Sequence, residues 1–492
     1  MNQEQNGLLA WTRAQQRFCA KAMLRAVSAT RLVKHRPAMG QTIRPALGSI
    51  VASPEMAAYD PKPDYFFHWL RDSAIAADAL REAVEDQTLE PSEIRHLVDF
   101  VDFSLKLCSL DGPSFLKRGG YPKSVEPSFL EHVRARAEIA EITGDKTLGE
   151  ARYNADGSLD VLKWGRPQND GPALRALAVM RFFSLDAFRE RAGEPALALL
   201  HYDLDYTLSH WRLPCCDLWE ERIGFHYHTR LVQQAALDEG AKFLAAQGDM
   251  TRAAAYAAVA GALLAELDRH FDPEEGVYRG RLTETDTGPD APAPRRLDIA
   301  VILATVHAGR RAGPHSVVDP KTLATLIALE RLFEKEYQIN RTRPADCAPA
   351  LGRYAGDSYF SGGAYYFSTL GAAQFYFLLA QAAAEGQEIF VAEEDRAPLA
   401  ALLQTPAASL SDGALSAQLR EKLAAAALRR GDMFLATVRR FTPASREMAE
   451  QFSQDDGMPT SADNLTWSYA CFILAHAARR RAARAIEARN EG

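Results

Sequence analysis

The chain predicts an all-α fold: helical hairpins closed into a toroid, with long polar-aromatic loops at one mouth. Three observations carry this expectation. Apolar residues recur at the helical period along most of the chain, convincing alternating strands are few, and the unusual polar and aromatic residues cluster just ahead of helices. No composition break, low-complexity linker or internal repeat marks a second domain. The expected organisation is a helical extension over 1–40 and one domain over 41–492. That length can bury a large core.

Taken in order, Arg71-Asp72 precedes a helix expected to open near Ala74, and Trp164 to Asp170 precede one opening at Pro172. Glu220-Glu221 precede a helix from near His228. Alanine-rich segments at 235–265, 371–384 and 420–429 read as close-packed helices. Asp319-Pro320 is a helix start, an Asp cap followed by Pro at the first helical position. Leu326, Leu329, Leu332 and Phe333 then share one face. Arg353 to Tyr359 precede a helix from about Ala364, and residues 364–384 are apolar on nearly all sides, as a buried helix requires. Glu450 precedes a helix from about Asp463 with a stripe of Leu465, Tyr469, Phe472 and Ile473. Short hairpins are possible near 46–52 and 274–281. Loops rich in Gly, Pro and Asp fall at 40–65, 111–126, 278–296 and 339–363. If the five flagged helices form an inner ring, their five preceding loops meet at one mouth.

Bulk properties exclude several functions. Hydrophobic residues make up 47% and charged residues 25%, a globular balance, and a formal charge of −7 offers no general attraction to nucleic acid. Arg479-Arg480-Arg481 reads as a solvated basic helix end. Six scattered cysteines, two of them adjacent at Cys215-Cys216, read as reduced thiols. Residues 1–37 hold no signal-peptide-like apolar stretch, and the longest apolar run, Ala253 to Ala265, is too short to cross a bilayer. The expectation is a soluble cytoplasmic protein with no membrane partner and no cofactor.

Two remote acidic segments carry the chemistry. Asp217-Leu218-Trp219-Glu220-Glu221 and Ala449-Glu450-Gln451 each place a glutamate near aromatic residues. Hydrolysis of a sugar–sugar bond requires such a pair, one carboxylic acid protonating the departing oxygen and the other acting from the opposite face. An indole and a second carboxyl beside Glu220 would raise its pKa, as a general acid needs. The alternative is a surface acid pair ahead of a helix, favoured there by the dipole. Arg71 and Asp72 offer a donor fork and an acceptor to sugar hydroxyls, or else a salt-bridged helix start. Tyr65, Trp69, Trp164 and Trp467 can stack on sugar C–H faces or lie in the core, while Tyr469, on the apolar stripe, reads as core. Arg353 with Asp357 and Tyr359 fits a pocket wall or a loop ion pair. His-Glu-x-x-His, Cys-x-x-Cys, P-loop, nucleophile-elbow and dinucleotide motifs are absent. His226 and His228 stand two apart without a completed metal set, so no metal is expected.

These segments resemble the glucoamylase family, glycoside hydrolase family 15, from about residue 40 to 480. The resemblance rests on Gly48 to Pro54, Asp64 to Ser73, Gly165 to Arg175, Asp217 to Glu221, Gly352 to Tyr354, Glu450 to Phe452 and Leu465 to Tyr469, in that order. It implies an (α/α)6 toroid and an inverting, exo-acting α-glucosidase that releases β-glucose from non-reducing ends of an oligosaccharide or α-glucan. By the same resemblance Glu220 is the general acid, Glu450 is the base, and Arg71 and Asp72 hold the terminal glucose. Tyr65, Trp69, Trp164, Leu218, Trp219, Glu221, Arg353, Tyr359 and Trp467 line the pocket. One departure concerns the leaving-group side, where the family's usual Asn-Gly-Asn-Pro-Trp reads Ser361-Gly362-Gly363-Ala364-Tyr365. No starch-binding module is recognised, which points to a short α-glucoside rather than raw starch. Trehalose and α-1,6-glucoside hydrolysis, and a silent glucan-binding toroid, are the alternatives.

Overall fold

The computed structural model describes residues 3–59, 61–282 and 297–491. Twelve long helices among them alternate between an outer and an inner layer along the chain. They are α1 Gln3–Leu24, α2 Leu70–Glu85, α3 Arg95–Cys108, α4 Asp170–Phe182, α5 Asp186–His210 and α6 Tyr227–Ala246. The second half holds α7 Met250–Asp268, α8 Ala300–Ala308, α9 Pro320–Glu336, α10 Tyr366–Ala384, α11 Ala417–Phe441 and α12 Thr466–Glu491. The even-numbered helices pack each on the next, and α12 returns to α2, closing an inner ring; odd-numbered helices lie outside it. This is the expected toroid.

Inner helices are buried on nearly every face: in α10 all residues but Leu378 are buried, and all nine of α8 are. Those two helices have no water to face and are apolar nearly all round, whereas the other four inner helices carry charged residues. The charges they do carry are paired, as with Arg175 of α4, whose Nε and Nη2 donate to Asp203 of α5 at 2.9 and 2.7 Å. Three outer helices, α7, α9 and α11, open on side-chain caps from Asp249, Asp319 and Ser416. Asp319 accepts from Lys321 N at the start of α9, as its Asp-Pro sequence requires.

Several boundaries differ from the sequence expectation. α2 opens at Leu70 and α4 at Asp170, so Arg71, Asp72 and Asp170 sit in first turns rather than in loops. α10 and α12 start slightly later than expected, at Tyr366 and Thr466. The sixth inner helix, α8, carries no polar-aromatic cluster among the described residues just ahead of it. The hairpin near 274–281 exists as Phe271–Asp272 against Val277–Tyr278. Near 46–52 only an isolated bridge from Ile50 to Val27 forms; the local hairpin is Lys34–Arg36 with Gln41–Ile43. Of the loop expected over 278–296, residues 283–296 lie outside the described residues. α1 packs on α12 and also touches α2 and α11, taking the outer position that precedes α2.

The arginine run is not a solvated end. Arg479 pairs with Asp432, Arg480 with Asp86 and Arg481 with Glu82, within a helix that continues to Glu491. The run ties α12 to α11 and to the C-terminal end of α2. All six cysteines are free thiols. No described helix is long and apolar enough to cross a membrane.

Candidate active site

Short β-ladders fix the loops at the N-terminal mouth of the inner ring. Phe67–Trp69 pairs antiparallel with Arg152–Asn154, His68 opposite Tyr153, and delivers Trp69 and Arg71 to the mouth. Cys215–Cys216 pairs with Ile223–Gly224, and the turn between them carries Leu218 to Glu221. Asp217 holds this turn, its Oδ1 accepting from Glu221 N at 2.8 Å. Glu220 sits there at φ +66°, a left-handed conformation that a non-glycine residue keeps only when its surroundings enforce it. Gln451–Phe452 is the centre of a three-strand ladder, with Gln451 opposite both Tyr365 and Thr460; Glu450 stands just before it. A Cβ on Gly165 would lie 2.6 Å from Cys216 Sγ and 3.0 Å from Glu220 O, so only glycine lets the Trp164 loop approach the Glu220 turn this closely.

All thirteen residues singled out from the sequence line one cavity of about 230 Å³. They are Tyr65, Trp69, Arg71, Asp72, Trp164, Leu218, Trp219, Glu220, Glu221, Arg353, Tyr359, Glu450 and Trp467. Ala52, Tyr365, Phe367 and Leu465 complete the lining. Sequence reasoning passed over Phe367 because an apolar residue in an apolar helix carries no signal. Tyr365, Ala52 and Leu465 stand inside flagged segments, yet nothing in their chemistry separated them from core.

Glu220 is gripped by donors. Its Oε1 accepts from Trp69 Nε1 at 2.7 Å and Gln168 Nε2 at 2.9 Å, with Arg71 Nη2 at 3.5 Å. Its Oε2 accepts from Trp164 Nε1. The indoles that meet Glu220 are therefore these two. The expected neighbour, Trp219, points elsewhere, its Nε1 donating to Asp298 at 3.0 Å. Glu221 also turns away, accepting from Tyr354 Oη at 2.8 Å and pairing with Arg353 at 3.1 Å. Adjacent residues in a tight turn project apart, which is why the pairing read from sequence adjacency does not form.

Glu450 is buried and its Oε2 accepts from Ser461 Oγ. Burial pushes this carboxyl up to about 7, a rise that Asp72 and Glu220 add to and that Ser461 and Arg353 oppose. Asp72 is pushed up to about 6, again chiefly by burial, with Arg71 opposing. The Arg71–Asp72 contact is loose, 3.6 Å from Nε. Arg71 is instead held by its Nη1, which donates to Gln168 Oε1 and Asp170 Oδ2, each at 3.0 Å. Arg353 is clamped by Asp357, with Nε to Oδ2 at 2.7 Å. Tyr65 and Tyr359 share a hydroxyl–hydroxyl bond of 2.7 Å, and burial followed by the Glu450 charge raises both phenols. Trp467 stacks on Phe367 at 4.3 Å and 3°, forming a flat aromatic wall. Tyr469 is core, as expected. No cluster of metal-ligating side chains occurs among the described residues.

Paired carboxyls, a donor fork and flat aromatic walls in a helical toroid define a glycosyl hydrolase. Residues 33–103 and 129–477 match the Glycosyl hydrolases family 15 profile, and the chain belongs to that family. It is 28% identical over 460 residues to Glucoamylase 1 of Rhizopus oryzae, covering 90% of this chain and 69% of that protein. It is 29% identical to a probable glucoamylase of Schizosaccharomyces pombe, covering 87% and 84%. Among solved structures, the Hypocrea jecorina glucoamylase superposes with a TM-score of 0.77 at 26% identity, over 96% of this chain and 72% of that one.

Proposed function

We propose that this pocket hydrolyses α-glucosides from the non-reducing end with inversion, releasing β-glucose, with Glu220 as general acid and Glu450 as general base. One observation carries the assignment: two carboxyls from loops 230 residues apart line a single cavity, and Glu450 is buried. Glu450 Oε2 is used by Ser461, which leaves Oε1 to accept from an attacking water. On Glu220, Oε1 is crowded by three donors while Oε2 meets Trp164 alone, so Oε2 has room to carry the proton given to the leaving oxygen. Inversion expects the two carboxyls to stand about 6.5–9.5 Å apart, with one water between base and sugar.

Arg71 and Asp72 supply a donor and an acceptor at the floor for the terminal glucose, and Trp467 and Trp69 supply aromatic faces. The cavity is small, which fits removal of one end unit and not internal cleavage. Short α-glucosides are the preferred substrates in this reading. Glucose release from maltose, maltotriose, isomaltose, trehalose and soluble starch tests it. Maltose and maltotriose should lead. Dominant trehalose or isomaltose turnover would move the assignment to those linkages, and α-glucose appearing first by NMR would rule out inversion.

A further inference from the structure

His228 on α6 and His307 on α8 line no part of the pocket and take no part in the chemistry above. Both are buried. His228 Nε2 meets His307 Nδ1 at 3.2 Å. On its other side, His228 Nδ1 has no hydrogen-bond partner, and the polar atom it faces is Asp170 Oδ2 at 3.6 Å, just beyond hydrogen-bond distance. Asp170, first residue of α4, is the acceptor that holds Arg71 Nη1 at 3.0 Å. The ring of His307 in turn stands 6.1 Å from that of Trp467. A line of buried polar groups thus runs from Arg71, beside the half-buried Glu220, through Asp170 and His228 to His307, crossing α2, α4, α6 and α8.

Burial holds both imidazoles neutral by pushing their pKa values down, His228 to about 3. A neutral imidazole carries one N–H, so a proton on Nδ1 of His228 directs it at Asp170 and leaves Nε2 to accept from His307. Arg71 needs such support. Its side chain is buried, its Nε has no hydrogen-bond partner, and its orientation depends on what holds Asp170 and Gln168.

We propose that His228, backed by His307, is a positioning residue that fixes Asp170 and through it aims Arg71 at the hydroxyls of the terminal sugar. The inference rests on the proposed role of Arg71 as a sugar-binding fork. In a bland core role, His228 would change stability alone. A positioning role shows in affinity for the sugar itself.

The probe is glucose, titrated calorimetrically into the full chain, which requires no turnover. His228→Phe keeps the ring and removes both nitrogens, and should weaken glucose binding roughly tenfold, the loss expected when one charge-assisted hydrogen bond is misaligned. His228→Asn returns an N–H near the Nδ1 position and should recover affinity to within about threefold of the parent. Phe at 228 binding glucose as tightly as the parent, or Asn binding no better than Phe, overturns the proposal. If His228→Phe does not fold, His307→Phe carries the test: weaker glucose binding supports the relay, and unchanged affinity with a lowered Tm overturns it. A parent chain that binds glucose but cleaves no α-glucoside would sink the proposed function and leave the relay standing. A parent that binds no glucose sinks both.

Discussion

Replacing Ser461 probes how the Glu450 carboxyl is tuned. Ser461 Oγ donates to Glu450 Oε2 and is buried, at φ +64°. A hydrogen bond to a charged group contributes about 1.5–3 kcal/mol, and one pKa unit corresponds to about 1.4 kcal/mol. Losing this donor therefore raises Glu450 by about one to two units from its starting value of about 7. A base works ionised, so the acid limb of kcat/KM should move to higher pH and not lower. Activity at pH 6 should fall roughly ten- to a hundredfold, with much less loss on the alkaline side. Ser461→Ala keeps the strained backbone and Ser461→Gly relieves it, so an equal shift in both isolates the hydroxyl from the strain. The assay is glucose release from maltose across pH 4–9. An unmoved limb, or one displaced downward in both variants, would refute the reasoning.

Glu220→Gln should lower kcat on maltose by about 10²–10⁴-fold, and α-glucosyl fluoride, whose leaving group needs no proton, should recover much of the loss. Trp164→Phe keeps the wall but removes the one donor on Glu220 Oε2; kcat should drop about tenfold with Tm nearly unchanged. Glu450→Gln should abolish turnover yet stabilise the chain at alkaline pH. A carboxyl raised from 4.5 to about 7 on folding costs about 3 kcal/mol above pH 7 and little below pH 5, so scanning calorimetry should show Tm up by about 3 °C at pH 8 and under about 1 °C at pH 5. Arg175→Leu leaves Asp203 buried and unpaired and should cost about 3–5 kcal/mol by denaturant unfolding, partly restored by adding Asp203→Leu.

The site was legible because its chemistry demands scarce residue types in scarce positions. Glutamates, arginines and tryptophans ahead of apolar helices have few structural reasons to recur, and every one flagged reaches the cavity. Partner choice was not legible. Trp219 follows Leu218 and precedes Glu220, but its indole bonds Asp298, 79 residues onward, while Glu220 takes Trp69 and Trp164 from other loops. Turn geometry decides that, and spacing does not encode it. α8 escaped because a short helix buried on all sides has no amphipathic period to detect. Arg71 and Asp72 were placed ahead of a helix because polar residues are tolerated in its first turn, which makes a helix start look like loop.

Burial is the largest cause of the rise at both raised carboxyls of the pocket. Inner helices point their N-terminal, positive ends at the mouth, and that end of a dipole favours ionised acids by about 0.3–1 kcal/mol, up to about 2 when partly buried. Asp72 lies in the first turn of α2 beside Arg71 and is nonetheless pushed up to about 6. Glu450 stands sixteen residues before α12 begins, tethered to a β-ladder and beyond the first-turn reach of that helix dipole. Its rise to about 7 corresponds to about 3 kcal/mol, more than one dipole end can oppose. Desolvation wins at both positions. The ring of helices supplies the walls and the burial, and the ladder strands, by holding Glu450 off the helix start, let that burial set a carboxyl that is half ionised near pH 7.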